Sequence, residues 1–175
     1  MTVENLTAAA ITAQINAAVA AKRVGDTVQV VSTSSGALAT GTTIIPSDDT
    51  IPQNSEGTAL AALDTTITPT NAANKLLVTM VLNVAASVAV QVIGALFQDA
   101  GANALAAADF TTGGAGQIGQ LTLVFQMTAG TTSATTFKAR FGPASAATVT
   151  VNGSAGARLF GGVMLSSLTV AEIKA

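Results

Sequence analysis

The chain has 175 residues, a formal net charge of −2, and no His, Cys, Trp or Tyr. Those absences exclude disulfides and remove the side chains that most often carry acid–base, nucleophilic and soft-metal chemistry near neutral pH. Only 9% of residues are charged against 49% hydrophobic, so the composition predicts a chain that hides much of its surface and works by burial, in an oligomer rather than as a monomer.

Residues 3–22 read as a helix. Leu6, Ile11, Ile15 and Val19 recur at helical spacing, Thr2 caps the start, Glu4 sits in the first turn, and Lys22, Arg23 and Gly25 close the end. The stripe is thin and rich in alanine, which suits docking or close helix packing. Residues 1–25 are therefore expected to be an anchoring and assembly arm, with Leu6, Ile11, Ile15 and Val19 as its contacts. Residues 26–175 are expected to form one β domain.

After Gly25 the apolar period changes to two. Thr27–Ser32 alternates as a strand, Ser34-Ser35-Gly36 turns, and Thr42–Ile45 resumes extended structure. Pro46–Gly57 is a polar loop whose two prolines forbid a central strand. Leu60–Ile67 reads as the next strand, followed by Leu76–Val84 and Val88–Gln98. The 23 residues between Lys75 and Asp99 carry no charge, a length that could span a bilayer. Thr79, Asn83, Ser87, Gln91 and Gly94 break that stretch, and Ala85-Ala86-Ser87 divides it, so two buried strands are expected and no membrane partner. Asp99–Asn103 turns, with one helical turn expected at Ala104–Ala107. Ile118–Met127, Thr135–Phe141 and Thr148–Val151 are strands, Asn152-Gly153 reads as a hairpin turn, and Leu159–Phe160 and Val163–Ile173 close the set. Roughly eight short strands without a second helix predict an all-β antiparallel sandwich or barrel.

The motifs that suggest chemistry are weak. Gly114-Ala-Gly116-Gln-Ile-Gly119 matches a dinucleotide fingerprint in letters, but it leads into a strand, and no acid occurs from Thr111 to Ala171. Asp48, Asp49 and Glu56 share the polar loop and offer hard oxygen ligands for calcium or a hydrolytic pair, although Asp residues beside prolines ordinarily build turns. Lys75 or Lys138 beside one of many hydroxyls would be needed for a Ser–Lys nucleophile, and no spacing selects one. Lys138 and Arg140 share one strand face. Arg158 is a candidate for an ion pair or an intersubunit contact. No cofactor and no catalytic residue is expected, and the charge balance argues against nucleic acid.

The blocks Ile45-Pro-Ser-Asp-Asp-Thr-Ile-Pro-Gln-Asn-Ser-Glu-Gly57, Thr68-Pro-Thr-Asn-Ala-Ala-Asn-Lys-Leu76, Ala95–Ala107, Met127–Lys138 and Asn152–Gly162 occur in order over residues 44–174. In them the chain resembles small domains of tailed-bacteriophage virion proteins, of the tail-fibre or minor structural kind. The resemblance covers about three quarters of the chain. It implies a jelly-roll-like β-sandwich that forms a homotrimer on a virion, as a capsid decoration or short fibre knob, attached to other virion proteins through the arm. It brings no catalytic residues. The alternative it leaves open is a module that binds a host-surface glycan or receptor through loops 46–57 and 99–117.

Overall fold

In a computed structural model, the structure describes Thr7, Ala10, Ile11 and residues 23–175. The expected helix over 3–22, with Leu6, Ile15 and Val19, lies outside the described residues. Of that region, Ile11 N–H donates to the Thr7 carbonyl at 3.0 Å, and Ile11 is exposed.

The described chain is all-β. Its strands are β1 (Thr27–Ser35), β2 (Ala39–Gly41), β3 (Thr58–Ala59), β4 (Thr65–Ile67), β5 (Lys75–Ala86), β6 (Gln91–Gln98), β7 (Ala106–Thr111), β8 (Ile118–Thr128), β9 (Thr135–Pro143), β10 (Val149–Val151), β11 (Gly153–Ser154), β12 (Ala157–Arg158) and β13 (Ser166–Ile173). Every strand pairing is antiparallel. In the first sheet, β5 carries β8 along one edge. Along its other edge it carries β13, then β1, and near its end the short pair β10 and β2. In the second sheet, β9 lies between β6 and the pair β3/β4, with β7 outside β6. A small hairpin joins β11 to β12.

Period-two alternation drives the packing. Leu76, Val78, Met80, Leu82 and Val84 of β5 point inward, with Leu121 and Leu123 of β8 and Leu168 and Val170 of β13. They meet Val92, Leu96, Phe137, Ala139 and Phe141 of the second sheet in one core. Strand β6 is buried on both faces: Ile93, Ala95 and Phe97 form a second small cluster with Ile45. The Pro46–Gly57 loop thus begins from a residue packed over the outside of the second sheet, held there by Ile45 N–H to the Pro143 carbonyl at 3.1 Å. This explains the uncharged run from Leu76 to Gln98 as two sheet strands. Among the described residues no helix is long and apolar enough to cross a membrane.

Five local expectations are corrected. Leu60–Ile67 is a 3₁₀ turn at Ala61–Leu63 followed by the short strand β4, with β3 ending before it at Ala59, because Leu60 and Leu63, three residues apart, both bury in the core. Residues 60–64 stand opposite only Lys138 and Ala139 on β9. Thr42–Ile45 is not a strand; the pairing falls at Ala39–Gly41 against β10. Ala104–Ala107 is no helical turn: Leu105 N–H donates to the Leu96 carbonyl at 2.7 Å, and β7 starts at Ala106. The tight turn is Ala155-Gly156, with φ of +50° and +74°, which links β11 to β12. Asn152 is buried instead, donating to the Ser35 and Ala37 carbonyls at 2.8 and 3.0 Å and accepting from Ser166 Oγ at 2.7 Å. Leu159–Phe160 leads into a 3₁₀ turn at Phe160–Gly162, and the last strand starts later, at Ser166.

The chain beyond the arm enters the sandwich beside its other end. Gly25 N–H donates to the Lys174 carbonyl at 2.8 Å, and Lys174 N–H to the Asp26 carbonyl at 2.9 Å. The carboxy-terminal strand is fully paired, between β1 and β5.

Candidate assembly face

The same alternation that fills the core sends the other half of each strand outward. On the first sheet, Cα register places Ser34, Ser167, Val81 and Thr122 in one row. Ser32, Thr169, Thr79 and Val124 form the next, and Val30, Ala171, Leu77 and Gln126 the third. Beyond them lie Ile173, Lys75 and Thr128. Four strands and fifteen side chains carry one charge, Lys75, and it sits in the last row. An antiparallel sheet that faces water ordinarily shows charged residues on its outer side. Here Val30 and Val124 are exposed at 56% and 61%. At the far end Ile118 and Leu165 are exposed too, and the Leu165 carbonyl accepts from Asn83 Nδ2 at 2.8 Å.

Four of the polar groups of the face pair with one another. Ser32 Oγ and Thr169 Oγ1 are 2.7 Å apart, and Lys75 Nζ donates to Thr128 Oγ1 at 2.7 Å. Those two pairs lower the cost of desolvating their own atoms when the face is covered. Strand spacing and rise give it roughly 450 Å² of plane, of the order of one partner's share in a stable protein interface once side-chain relief is counted.

The sequence candidates are scattered by comparison. Asp48 accepts from the Thr50 amide at 2.9 Å and from the Thr50 hydroxyl, and those bonds lower its pKa. Glu56 accepts from Gln53 N–H at 2.9 Å. Both acids thus shape their loop. Among the described residues no three acids gather as metal ligands. The glycine motif bridges β7 and β8, and Gly119 lies within β8. Arg158 is exposed on β12, its guanidinium against Gly162.

Sequence reading missed a cavity of about 450 Å³ on the outer side of the second sheet. Lys138 and Arg140 of β9 line it, with Asp64, Asp99 and Asn54. Arg140 Nε donates to the Glu56 carbonyl at 2.6 Å and its Nη2 to the Gly57 carbonyl at 2.8 Å. Burial raises the pKa of Asp64, and Lys138 offsets part of that rise. The available signal was the alternation Phe137-Lys138-Ala139-Arg140-Phe141, which puts two cations on one side of a strand.

No protein-family model matches the chain, and no curated protein matches it. Among solved structures it is similar to Eiger TNF from S. frugiperda, with TM-score 0.47, 8% identity, and 83% of this chain aligned to 94% of that one. It is also similar to the infectious bursal disease virus VP2 subviral particle, with TM-score 0.35, 10% identity, and 88% of this chain aligned to 39% of that one. A third is the enzymatically active domain of bacteriophage CBA120 tailspike protein 4, with TM-score 0.27, 12% identity, and 73% of this chain aligned to 19% of that one. Alignments at these scores do not define a shared fold.

Proposed function

We propose that this chain is a non-enzymatic structural protein of a virion. Its β-sandwich self-associates as a homotrimer through the outer face of the first sheet, and residues 1–25 attach it to other virion proteins. The observation that carries the assembly part is the single charge among fifteen outward side chains on β1, β13, β5 and β8. A face so poor in charge is cheap to bury against another copy, since no like charges meet across its centre, and the count of three rests on the resemblance. The virion part rests on the sequence resemblance.

The strand order supports a jelly roll. Count β3 and β4 as one strand and take the eight main strands in chain order. The first sheet then holds the first, eighth, third and sixth. The second holds the second, seventh, fourth and fifth. That nesting is the order of two Greek keys.

Sedimentation velocity tests the assembly. The expected species is three times 17.2 kDa, about 52 kDa; a stable monomer at micromolar concentration overturns it. Removal of residues 1–24 is expected to leave the trimer intact and to abolish incorporation into particles. Normal incorporation of the truncated chain overturns the anchoring role.

A further inference from the structure

We infer that Asn152-Gly153 is a deamidation site that the fold keeps closed, so that reaction at Asn152 marks copies that have been unfolded and blocks their return. The inference is independent of the trimer, because the reaction and its block lie within one chain.

Of the eight asparagines in the chain, Asn152 alone is followed by glycine. Glycine has no Cβ to crowd its own amide nitrogen, so that nitrogen can reach the preceding side chain. In the reaction Gly153 N bonds to Asn152 Cγ, the Cγ–Nδ2 bond breaks, and ammonia leaves with the Gly153 amide proton. Water then opens the cyclic imide at one carbonyl or the other, leaving aspartate or isoaspartate at position 152.

The fold demands both residues. Asn152 stands at φ +59°, in the left-handed region that asparagine tolerates better than most side chains. Its Nδ2 spends both protons on the Ser35 and Ala37 carbonyls, and its Oδ1 accepts from Ser166 Oγ. Its backbone N–H donates to the Asn83 carbonyl at 2.9 Å. One residue thus fastens the link between β1 and β2, the start of β13 and the upper part of β5. An ionised aspartate has no proton for the two carbonyls, and glycine has no side chain. Gly153 is fixed as firmly: a Cβ there would run into the Ala157 carbonyl oxygen and lie 2.9 Å from Leu38 Cδ1. The labile pair is therefore imposed by the packing around it.

The same contacts close the reaction path. Ring closure needs Asn152 Cγ to swing onto Gly153 N, which breaks all three side-chain bonds at a residue only 1% exposed. The reaction is confined to molecules in which this region has opened. Unfolding removes the bar, and neither product fits the site again. An aspartate carboxylate sets its oxygens against the Ser35 and Ala37 carbonyls, away from water. Isoaspartate inserts a methylene into the main chain just before Gly153, which pairs with Arg158.

Peptide mapping by mass spectrometry tests this on the full chain at mildly alkaline pH, in native buffer and in guanidinium chloride. In denaturant Asn152 is expected to react first of the eight asparagines. In the folded chain its rate is expected to be at least about a hundredfold lower; a smaller ratio overturns the closed site. When denaturant is removed, the refolded fraction is expected to fall in step with the modified fraction. Chain held unfolded for the same time at mildly acidic pH, where the amide nitrogen attacks slowly, is expected to refold in full. Asn152→Asp supplies one product directly and is expected to show a lower urea midpoint than the parent or to stay unfolded. Modified chain, or Asn152→Asp, that refolds with the parent's midpoint overturns the block on return.

Discussion

Asn74 Nδ2 donates to Glu172 Oε1 at 2.6 Å, deep beneath the end of the first sheet. Glu172 is fully buried on β13, and its carboxylate accepts hydrogen bonds from neutral groups of Gln29, Thr70, Asn71 and Asn74. Thr70 donates to the same oxygen through its amide at 2.9 Å and its hydroxyl at 2.8 Å, and Gln29 Nε2 donates to the other oxygen at 2.6 Å. One carboxylate thereby ties β1, β13 and the loop before β5 together.

A pH dependence follows. Burial acts to raise the Glu172 pKa, but the hydrogen bonds from Asn74, Gln29 and Thr70 outweigh it and hold it at about 2, against an ordinary 4.5. The folded value is depressed, so this contribution is fully present above about pH 4.5 and fades as pH falls toward 2. The stability lost across that window is roughly 3 kcal/mol. Urea unfolding at a series of pH values measures it. Glu172→Gln is expected to be less stable than the parent at pH 7 by about 1–3 kcal/mol and to show a flatter pH profile between 4.5 and 2. An unchanged profile would remove Glu172 as the cause.

Gly119 and Phe110 make a second prediction. A Cβ built on Gly119 would lie 2.0 Å from the Phe110 ring, so the aromatic side chain of β7 occupies the space above β8. Gly119→Ala is expected to destabilise the fold by about 1–3 kcal/mol through overpacking. Adding Phe110→Ala should recover part of that loss, giving a favourable coupling energy in a double-mutant cycle read by thermal or urea unfolding. Additive losses would contradict the contact.

The assembly face gives a third. Val124→Lys places one new cation per copy on the edge strand of the face, beside Thr79. The circular-dichroism spectrum should stay that of the parent, while the sedimenting mass falls toward 17.2 kDa. The same substitution at Val88, on the exposed β5–β6 turn, should leave the mass unchanged.

Arg140 supplies the fourth. Its two bonds to the Glu56 and Gly57 carbonyls close the Pro46–Gly57 loop onto β9. Arg140→Ala is expected to speed hydrogen exchange and proteolysis within that loop and to cost about 1–3 kcal/mol. Arg140→Lys should restore only part, since an ammonium cannot reproduce the planar fork. Loop protection equal to the parent's in Arg140→Ala would refute the clasp.

Much of the sheet framework was legible from alternation alone. In β5, β8 and β13 large aliphatic residues largely alternate with polar ones, in β9 Phe and Ala alternate with Lys and Arg, and the burial follows the letters. Strand β7 was not legible, because Ala106-Ala107-Ala108 has no contrast between faces; its pairing with β6 decides it. Leu60 and Leu63 gave a spacing of three that read as part of a strand and is in fact one turn of 3₁₀ helix. At Asn152-Gly153 the local turn preference lost to three tertiary hydrogen bonds on the Asn152 amide. The glycine motif ended up explained by packing: Gly116 takes φ +73° in the turn, and Gly119 makes room for a ring. The scarcity of charge was plain in the composition. Which residues share the outer face of the first sheet was not, because that face is assembled from four segments spread between residues 27 and 173.

The tie between Gly25 and Lys174 has a mechanical side. It fixes the departure of the first 22 residues beside Lys75, where β5 begins, and the β5–β6 turn at Ser87 lies a strand's length away, about 40 Å. Under the proposed attachment through residues 1–25, the sandwich is a strut held at this foot. A pull on the foot runs along the axis of β1, which lies on β13 over residues 27–35. It loads that ladder in shear, with all the rungs strained together, whereas a pull across the strands would unzip them one by one.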